Sequence, residues 1–303
     1  MRLDDYDPGD DIRDLGRGSG GGFGGGGGGG LGGLLIGFLP MLLGRKMGCG
    51  TILLIGAAAF FLLGPGANML SSGSGTVDPA TDSRSGANVA CDTQSERFAC
   101  NVFGSTHTVW EGLISGYRKP TLNFYEQSTR NSGCGAASSA MGPFYCPADQ
   151  GVYLDTSFFR ELEQKFGAAG DAAQAYVIAH EVGHHIQTIS GISNQVRQAQ
   201  QRASQAEGNA LQVRMELQAD CYAGVWAARA KTRDGQPVME AGDMEEAMRA
   251  ANAIGDDTLM RSAGQRPVPE SFTHGTSEQR MSWLRRGLQS GDPRQCDAFG
   301  AAS

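Results

Sequence analysis

The stretch His180-Glu181-Val182-Gly183-His184-His185 decides how this chain of 303 residues is interpreted. It reads H-E-x-x-H and lies in an uncharged, largely apolar run that contains three of the five histidines. On a helix, His180 and His184 leave one face a turn apart, so both imidazoles can bind one zinc ion. Glu181 can then hold and deprotonate a water molecule at the metal. The alternative is a surface helix with scattered polar residues, which the uncharged flanks disfavour.

A second acidic pair follows in Glu216-Leu217-Gln218-Ala219-Asp220, within a stretch predicted to be helical from about 209 to 231. Glu216 and Asp220 are four residues apart and therefore share a helix face. The pattern resembles the E-x-x-A-D signature of thermolysin-like metallopeptidases, the gluzincins. That resemblance implies that Glu216 is the third ligand of a single zinc ion and that Asp220 binds the far nitrogen of His180. The alternative is an exposed acidic helix face.

The segment 272–280 contains His274 and resembles a short motif of membrane-linked gluzincins, T-H-P followed by E-x-R, although Gly275 replaces the proline. The resemblance implies a catalytic role for His274, which would stabilise the oxyanion of the tetrahedral intermediate. The alternative is a purely structural loop, in which Thr276 and Ser277 cap a helix over 278–288.

Two longer blocks, 132–149 and 152–159, together with the H-E-V-G-H-H core, are similar to the bacterial neutral zinc metallopeptidase family. The resemblance covers roughly residues 100–298 and implies a membrane-anchored peptidase domain of the zincin type. The expected fold class is therefore α+β, with a small sheet, an active-site helix and a helical C-terminal part. In zincins an edge strand above the active-site helix pairs with an extended peptide. Residues 152–155 are the expected edge strand, and an ordinary core strand is the alternative.

The composition divides the chain into four parts. Glycine is about twice as frequent as in an average protein, with 46 glycines in the chain, many of them in the tract from 18 to 33. Residues 1–46 are therefore predicted to be a disordered, glycine-rich cytoplasmic segment. A transmembrane helix is expected over 47–67 and a flexible tether over 68–88. The zinc metallopeptidase domain is expected to occupy 89–303.

Residues 47–67 carry no charge, and Arg45 and Lys46 precede them. This charge pattern predicts a single crossing of the bacterial inner membrane, with the N-terminus in the cytoplasm and the catalytic domain in the periplasm or outside the cell. A signal peptide is disfavoured by the long preceding segment. In the remaining alternatives, the apolar run 31–43 lies at the membrane interface, or it forms a hairpin with the second run and returns the domain to the cytoplasm.

Six cysteines lie beyond the apolar segment, and an even number fits disulfides in an oxidising compartment. Pairing of neighbours is one of the fifteen pairings that six cysteines allow. The neighbour pairs are Cys91–Cys100, Cys134–Cys146 and Cys221–Cys296. Buried free thiols are the alternative, above all for Cys221.

The net charge of −7 argues against nucleic acid as a partner. The leading hypothesis is a membrane-anchored zinc metalloendopeptidase that uses Glu181 as its general base. Its expected partners are peptide or protein substrates, including envelope proteins, and the lipid bilayer through one helix. The alternatives are a non-enzymatic, zinc-stabilised interaction domain tethered to the membrane and an amidase that acts on peptidoglycan peptides.

Overall fold

The structure is a computed structural model that describes residues 1–3, 6, 11–17 and 90–300. Helices and a small sheet share one hydrophobic core, which confirms the predicted α+β class. The strands are β1 (Ile12–Arg17), β2 (Thr121–Glu126), β3 (Ser128–Ser132), β4 (Gly135–Ser138), β5 (Phe144–Cys146) and β6 (Gly151–Leu154). The helices are α1 (Gln94–Leu113), α2 (Ser157–Phe166), α3 (Asp171–Ile189), α4 (Ile192–Gln200), α5 (Gln205–Arg229), α6 (Asp243–Ala253), α7 (Asp256–Ser262) and α8 (Ser277–Ser290).

The main sheet has the strand order β1-β2-β6-β5, and β3 and β4 form a separate hairpin. Strands β1, β2 and β6 run parallel, and β5 runs antiparallel to β6. The prediction that residues 152–155 form an edge strand is wrong, because β6 lies between β2 and β5 and all four of its residues are buried. The edge next to β6 is instead β5.

The expected disorder of residues 1–46 is wrong for its first part. Strand β1 pairs with β2, with Ile12 opposite Leu122. Leu3 is buried in the main core, and the Tyr6 hydroxyl donates to the Lys231 carbonyl. The first residues are therefore part of the folded domain, because pairing and burial offset the entropy of ordering them. Residues 18–46, the predicted membrane helix 47–67 and the tether 68–88 lie outside the described residues.

Among the helices that the structure describes, none combines the length and the apolar composition that a membrane crossing requires. Helix α5 begins at a capping box formed by Ser204 and Glu207 and continues through Gly208, so it starts before the predicted position of about 209. A single glycine lowers helix stability by only about 1 kcal/mol, so the strong cap and the buried face prevail.

Helix α8 lies along α5 at very short range. The Cβ of any other residue at Gly287 would collide with the Cys221 carbonyl, and a Cβ at Gly224 would collide with the Leu284 carbonyl. These two glycines allow the helices to touch through their backbones. The close approach brings Arg280 of α8 against Asp220 of α5.

All three predicted disulfides are formed. Cys91–Cys100 closes the start of α1, Cys134–Cys146 joins the hairpin turn to β5, and Cys221–Cys296 joins α5 to the C-terminal turn Pro293–Cys296.

Candidate metal centre

The centre lies where α3 crosses α5, and Gly183 makes this crossing close. A Cβ built on Gly183 would lie 3.0 Å from the Cα and the carbonyl oxygen of Ala219. Gly183 stands between His180 and His184, and Ala219 stands between Glu216 and Asp220. The glycine therefore sets the two pairs of polar side chains opposite each other.

The structure brings together the three predicted ligands. The Nε2 atom of His180 lies 3.1 Å from Oε2 of Glu216, and the Nε2 atom of His184 lies 3.5 Å from the same oxygen. Zinc–ligand bonds of about 2.0–2.2 Å in a tetrahedron place neighbouring ligand atoms roughly 3.3–3.6 Å apart. The two separations from Glu216 are close to this range, and all three ligand atoms lie within 4.8 Å of one another, so the three residues could hold one zinc ion. The His184 side chain is 17% exposed, which leaves one side of the centre open to solvent.

The His180 ring is held by a buried charged network. Its Nδ1 atom lies 2.8 Å from Oδ1 of Asp220, which also accepts hydrogen bonds from the Tyr176 hydroxyl at 2.6 Å and from Arg280 at 2.9 Å. Burial opposes protonation of His180, but the carboxylates of Asp220 and Glu216 raise its pKa to about 10 in the metal-free protein. The position of Asp220 is the one that the gluzincin resemblance implies.

The His184 ring is held differently, by a neutral side chain of its own helix. Its Nδ1 atom lies 2.9 Å from the amide oxygen of Gln187, one turn further along α3. Both histidines therefore have Nδ1 occupied by an oxygen acceptor and Nε2 facing Glu216. When the rings are neutral, this arrangement places the proton on Nδ1 and the lone pair on Nε2, where a metal binds.

Glu181 is the residue next to His180, and its side chain is buried beside the three ligands. Burial raises the pKa of the Glu181 carboxyl, whereas the neighbouring imidazoles of His180 and His184 oppose that effect. A carboxylate with a raised pKa is a stronger base, which suits proton transfer near neutral pH.

His274 lies in the loop that precedes α8. Its Nδ1 atom pairs with Oδ1 of Asp256 at 3.0 Å, and the other oxygen of Asp256 accepts the backbone N–H groups of Thr273, His274 and Gly275. Burial opposes protonation of His274, but Asp256 and the nearby Glu216 raise its pKa. The loop is therefore rigid, and its histidine lies within electrostatic range of the ligand Glu216. Thr276 also caps α8, as the structural alternative predicts, and the catalytic role of His274 stays a prediction.

The sequence did not identify Gln187, Asp256 or Arg280 as parts of the centre. Arg280 is the last residue of the E-x-R pattern in the segment 272–280. Gln187 lies three residues after His184, a spacing that places both side chains on one helix face and could have suggested their contact. His185 is fully buried between the Tyr145 hydroxyl and the Arg118 carbonyl, so protein partners occupy both of its ring nitrogens.

Comparison with known proteins places this centre in a family. Residues 1–299 match the family model described as "Putative neutral zinc metallopeptidase". The chain belongs to this family. It is 53% identical over 213 residues to the uncharacterized protein YpfJ of Escherichia coli K12, covering 69% of this chain and 73% of that protein. It is 45% identical over 206 residues to the uncharacterized protein Rv2575 of Mycobacterium tuberculosis H37Rv, covering 65% of this chain and 68% of that protein. No solved structure matches the chain.

Proposed function

We propose that this protein is a zinc-dependent endopeptidase with a zincin-type catalytic centre. The observation that carries the proposal is the convergence of His180, His184 and Glu216 on one point, at separations that suit tetrahedral zinc. A purely structural zinc site is closed by four protein ligands, whereas a hydrolytic site has three and an open position. The partly exposed side of His184 supports the open arrangement.

Bound zinc supplies a Lewis acid that polarises the scissile carbonyl and lowers the pKa of water at the open position. Glu181 accepts the proton of the attacking water and passes it to the leaving amine. His274, oriented by Asp256, donates a hydrogen bond to the oxyanion that develops on the carbonyl oxygen. Asp220 and Gln187 hold the two imidazole rings in the orientation that binding requires.

An extended peptide can approach along β5, in place of the strand that the sequence suggested. Of the described strands in the main sheet, β5 lies at the end that packs against α3. Its central residue Tyr145 contacts His185, which is the direct neighbour of the ligand His184. A substrate strand added to β5 would therefore run beside the active-site helix, with backbone hydrogen bonds that do not depend on its side chains.

The test is the substitution Glu181→Gln in the full-length, zinc-loaded protein. The variant should retain zinc, because Glu181 is not one of the three ligands, and should lose cleavage of a peptide library because it lacks the base. A loss of roughly 10²–10⁴-fold in kcat is expected for a removed general base. The matched control is Glu163→Gln, an exposed glutamate on α2, which should cleave as fast as the wild type.

Three results would distinguish the alternatives. Zinc binding without cleavage by the wild type would favour the interaction domain. Cleavage of peptidoglycan peptides alone would favour the amidase. Equal cleavage by the wild type and Glu181→Gln would contradict the proposed base.

The location of the domain is a separate proposal. Leu3 and β1 pack on the domain, so residues 1–17 and 90–300 must share one side of any membrane to which the chain is attached. A single crossing by residues 47–67 would separate them, whereas the hairpin that includes residues 31–43 would not. Three disulfides suit an oxidising compartment. We therefore propose that both ends face outward from the bacterial inner membrane, where envelope proteins are accessible substrates.

Protease treatment of intact spheroplasts tests this arrangement, using protein with a different epitope tag at each end. Removal of both tags is the expected result. Removal of the C-terminal tag alone would instead support a single membrane crossing by residues 47–67. Protection of both tags would place the domain in the cytoplasm.

A further inference from the structure

The Nδ1 atom of His184 is one end of a buried chain of amide hydrogen bonds that crosses from α3 to the C-terminus. Gln187 accepts from His184 through Oε1 at 2.9 Å. Its Nε2 group donates to the Gln218 amide oxygen at 3.1 Å. The Nε2 group of Gln218 donates in turn to the Cys296 carbonyl at 2.8 Å. Gln187, Gln218 and Cys296 are almost fully buried, with at most 3% of each exposed.

The direction of this chain is fixed by backbone carbonyls, which can only accept hydrogen bonds. The Cys296 carbonyl requires the N–H side of the Gln218 amide, so the oxygen of Gln218 faces Gln187. The Met215 carbonyl, 2.7 Å from Nε2 of Gln187, imposes the same orientation on the second amide. The oxygen of Gln187 must then face His184. An oxygen acceptor at Nδ1 places the ring proton there and leaves Nε2 bare for a metal.

The acceptor end of the chain is held covalently. Cys296 forms a disulfide with Cys221, and both residues are fully buried. Cys221 directly follows Asp220, the residue that orients the other histidine. The disulfide therefore attaches the C-terminal turn Pro293–Cys296 to the same turn of α5 that supports the metal centre.

We propose that Gln187 and Gln218 are positioning residues that set the metal-binding tautomer of His184, and that the Cys221–Cys296 disulfide holds the carbonyl that orients them. The inference rests on the proposed zinc centre but not on peptide hydrolysis. It makes the C-terminal turn, 112 residues after His184, part of the apparatus that binds zinc.

The test measures the zinc affinity of the full-length protein by competition with a chromophoric chelator. Gln187→Met keeps the side-chain volume but removes the acceptor, and it should weaken zinc binding roughly 10–100-fold, as the loss of a partner of a ligand histidine does. Gln187→Glu keeps an oxygen toward Nδ1 and should recover most of that loss. The control is Gln198→Met, an exposed glutamine on α4, which should bind zinc as the wild type does.

The stability of the zinc-free proteins separates positioning from simple packing. Thermal unfolding in EDTA should show a larger loss for Gln187→Glu than for Gln187→Met, because the second oxygen of the glutamate faces two acceptors, the Met215 carbonyl and Gln218 Oε1. Zinc affinity should show the opposite order, with the larger loss in Gln187→Met. If affinity instead follows stability in both variants, or if Gln187→Met binds zinc as tightly as Gln198→Met, the proposal is overturned. Should Gln187→Met not fold, Gln218→Met tests the next bond of the chain, with a smaller loss of affinity expected.

The disulfide is tested by changing both cysteines to serine, which avoids thiol reductants that bind zinc themselves. The folded double variant should bind zinc more weakly than the wild type and more tightly than Gln187→Met. Unchanged zinc affinity would contradict the proposed role of the disulfide in holding the Cys296 carbonyl. A loss of cleavage with unchanged zinc affinity in all these variants would contradict the positioning role while leaving the proposed peptidase intact.

Discussion

The two histidines of the proposed zinc centre are supported by opposite kinds of chemistry. His180 depends on a buried carboxylate, Asp220, which itself depends on the guanidinium of Arg280. His184 depends on neutral amides and backbone carbonyls. A charged network is costly to break, because the partner left behind is a buried charge, whereas a neutral chain loses only hydrogen bonds. The two sides should therefore respond very differently to substitution.

The largest expected effect is on the charged side. Asp220→Asn leaves Arg280 buried without its carboxylate and should destabilise the zinc-free protein by about 3–5 kcal/mol. Gln187→Met should lose about 1–3 kcal/mol, the range for a buried hydrogen-bonding group left unsatisfied. Urea unfolding of the two variants measures the difference.

A pair of substitutions separates the effect of charge from that of packing. The double variant Asp220→Leu with Arg280→Met removes both charges and should be more stable than Asp220→Leu alone. Equal losses for Asp220→Asn and Gln187→Met would contradict the contrast between the two sides.

The second-largest effect is expected for Gly183, which lies between the two histidines. A substitution there should disturb the support of His180 and of His184 alike. Gly183→Ala forces a methyl group against the backbone of Ala219 and should destabilise the protein by about 1–3 kcal/mol, as overpacking does. Zinc affinity should fall with it, because α3 and α5 must separate. Gly208→Ala is the matched control, since its Cβ meets nothing within 4 Å. That variant should be more stable than the wild type by about 0.5–1 kcal/mol; comparable behaviour of the two alanine variants would rule out the close crossing.

The smallest expected effect is on the number of protons that the protein releases when it binds zinc. In the zinc-free protein the pKa of His180 is raised to about 10, so its ring is protonated at pH 7. Zinc requires neutral rings, and burial opposes protonation of His180 and His184 while the neighbouring carboxylates raise the pKa of both, so zinc binding should release protons and the affinity should rise with pH. Glu216 releases none, because burial is outweighed by the neighbouring His184 and His180, which hold its pKa well below the usual range.

Calorimetry in two buffers of different ionisation enthalpy counts these protons. Asp220→Asn should reduce the number released, because His180 loses the carboxylate that keeps it charged. Gln187→Met should leave it unchanged. A reduction in both variants would show that the two histidines are not supported independently.

The sequence was informative where function depends on local spacing. His180 and His184, like Glu216 and Asp220, are four residues apart on helices, so each pair could be placed on one face without a tertiary model. The three disulfides match the pairing of neighbours, which was one of the fifteen pairings that the sequence left open, and two of them join cysteines at most 12 residues apart. These features require only the helical repeat and chain proximity.

Features that depend on contacts between distant parts of the chain could not be predicted from local spacing. Strand β1 pairs with β2 across more than a hundred residues, and no local pattern states which strand of a sheet is central. Arg280 reaches Asp220 from α8, 60 positions away, because two glycines let the helices touch. The composition of residues 1–46 suggested disorder, because composition does not show that Leu3 and β1 have partners in the folded domain.

The zinc K-edge X-ray absorption spectrum of the purified, zinc-loaded protein tests the central claim most directly. The account predicts one zinc ion per chain, two imidazole ligands at about 2.0–2.1 Å, the remaining ligands oxygen, and no sulfur in the first shell. A spectrum with sulfur ligands or without imidazoles, or a protein that binds no zinc, would contradict it.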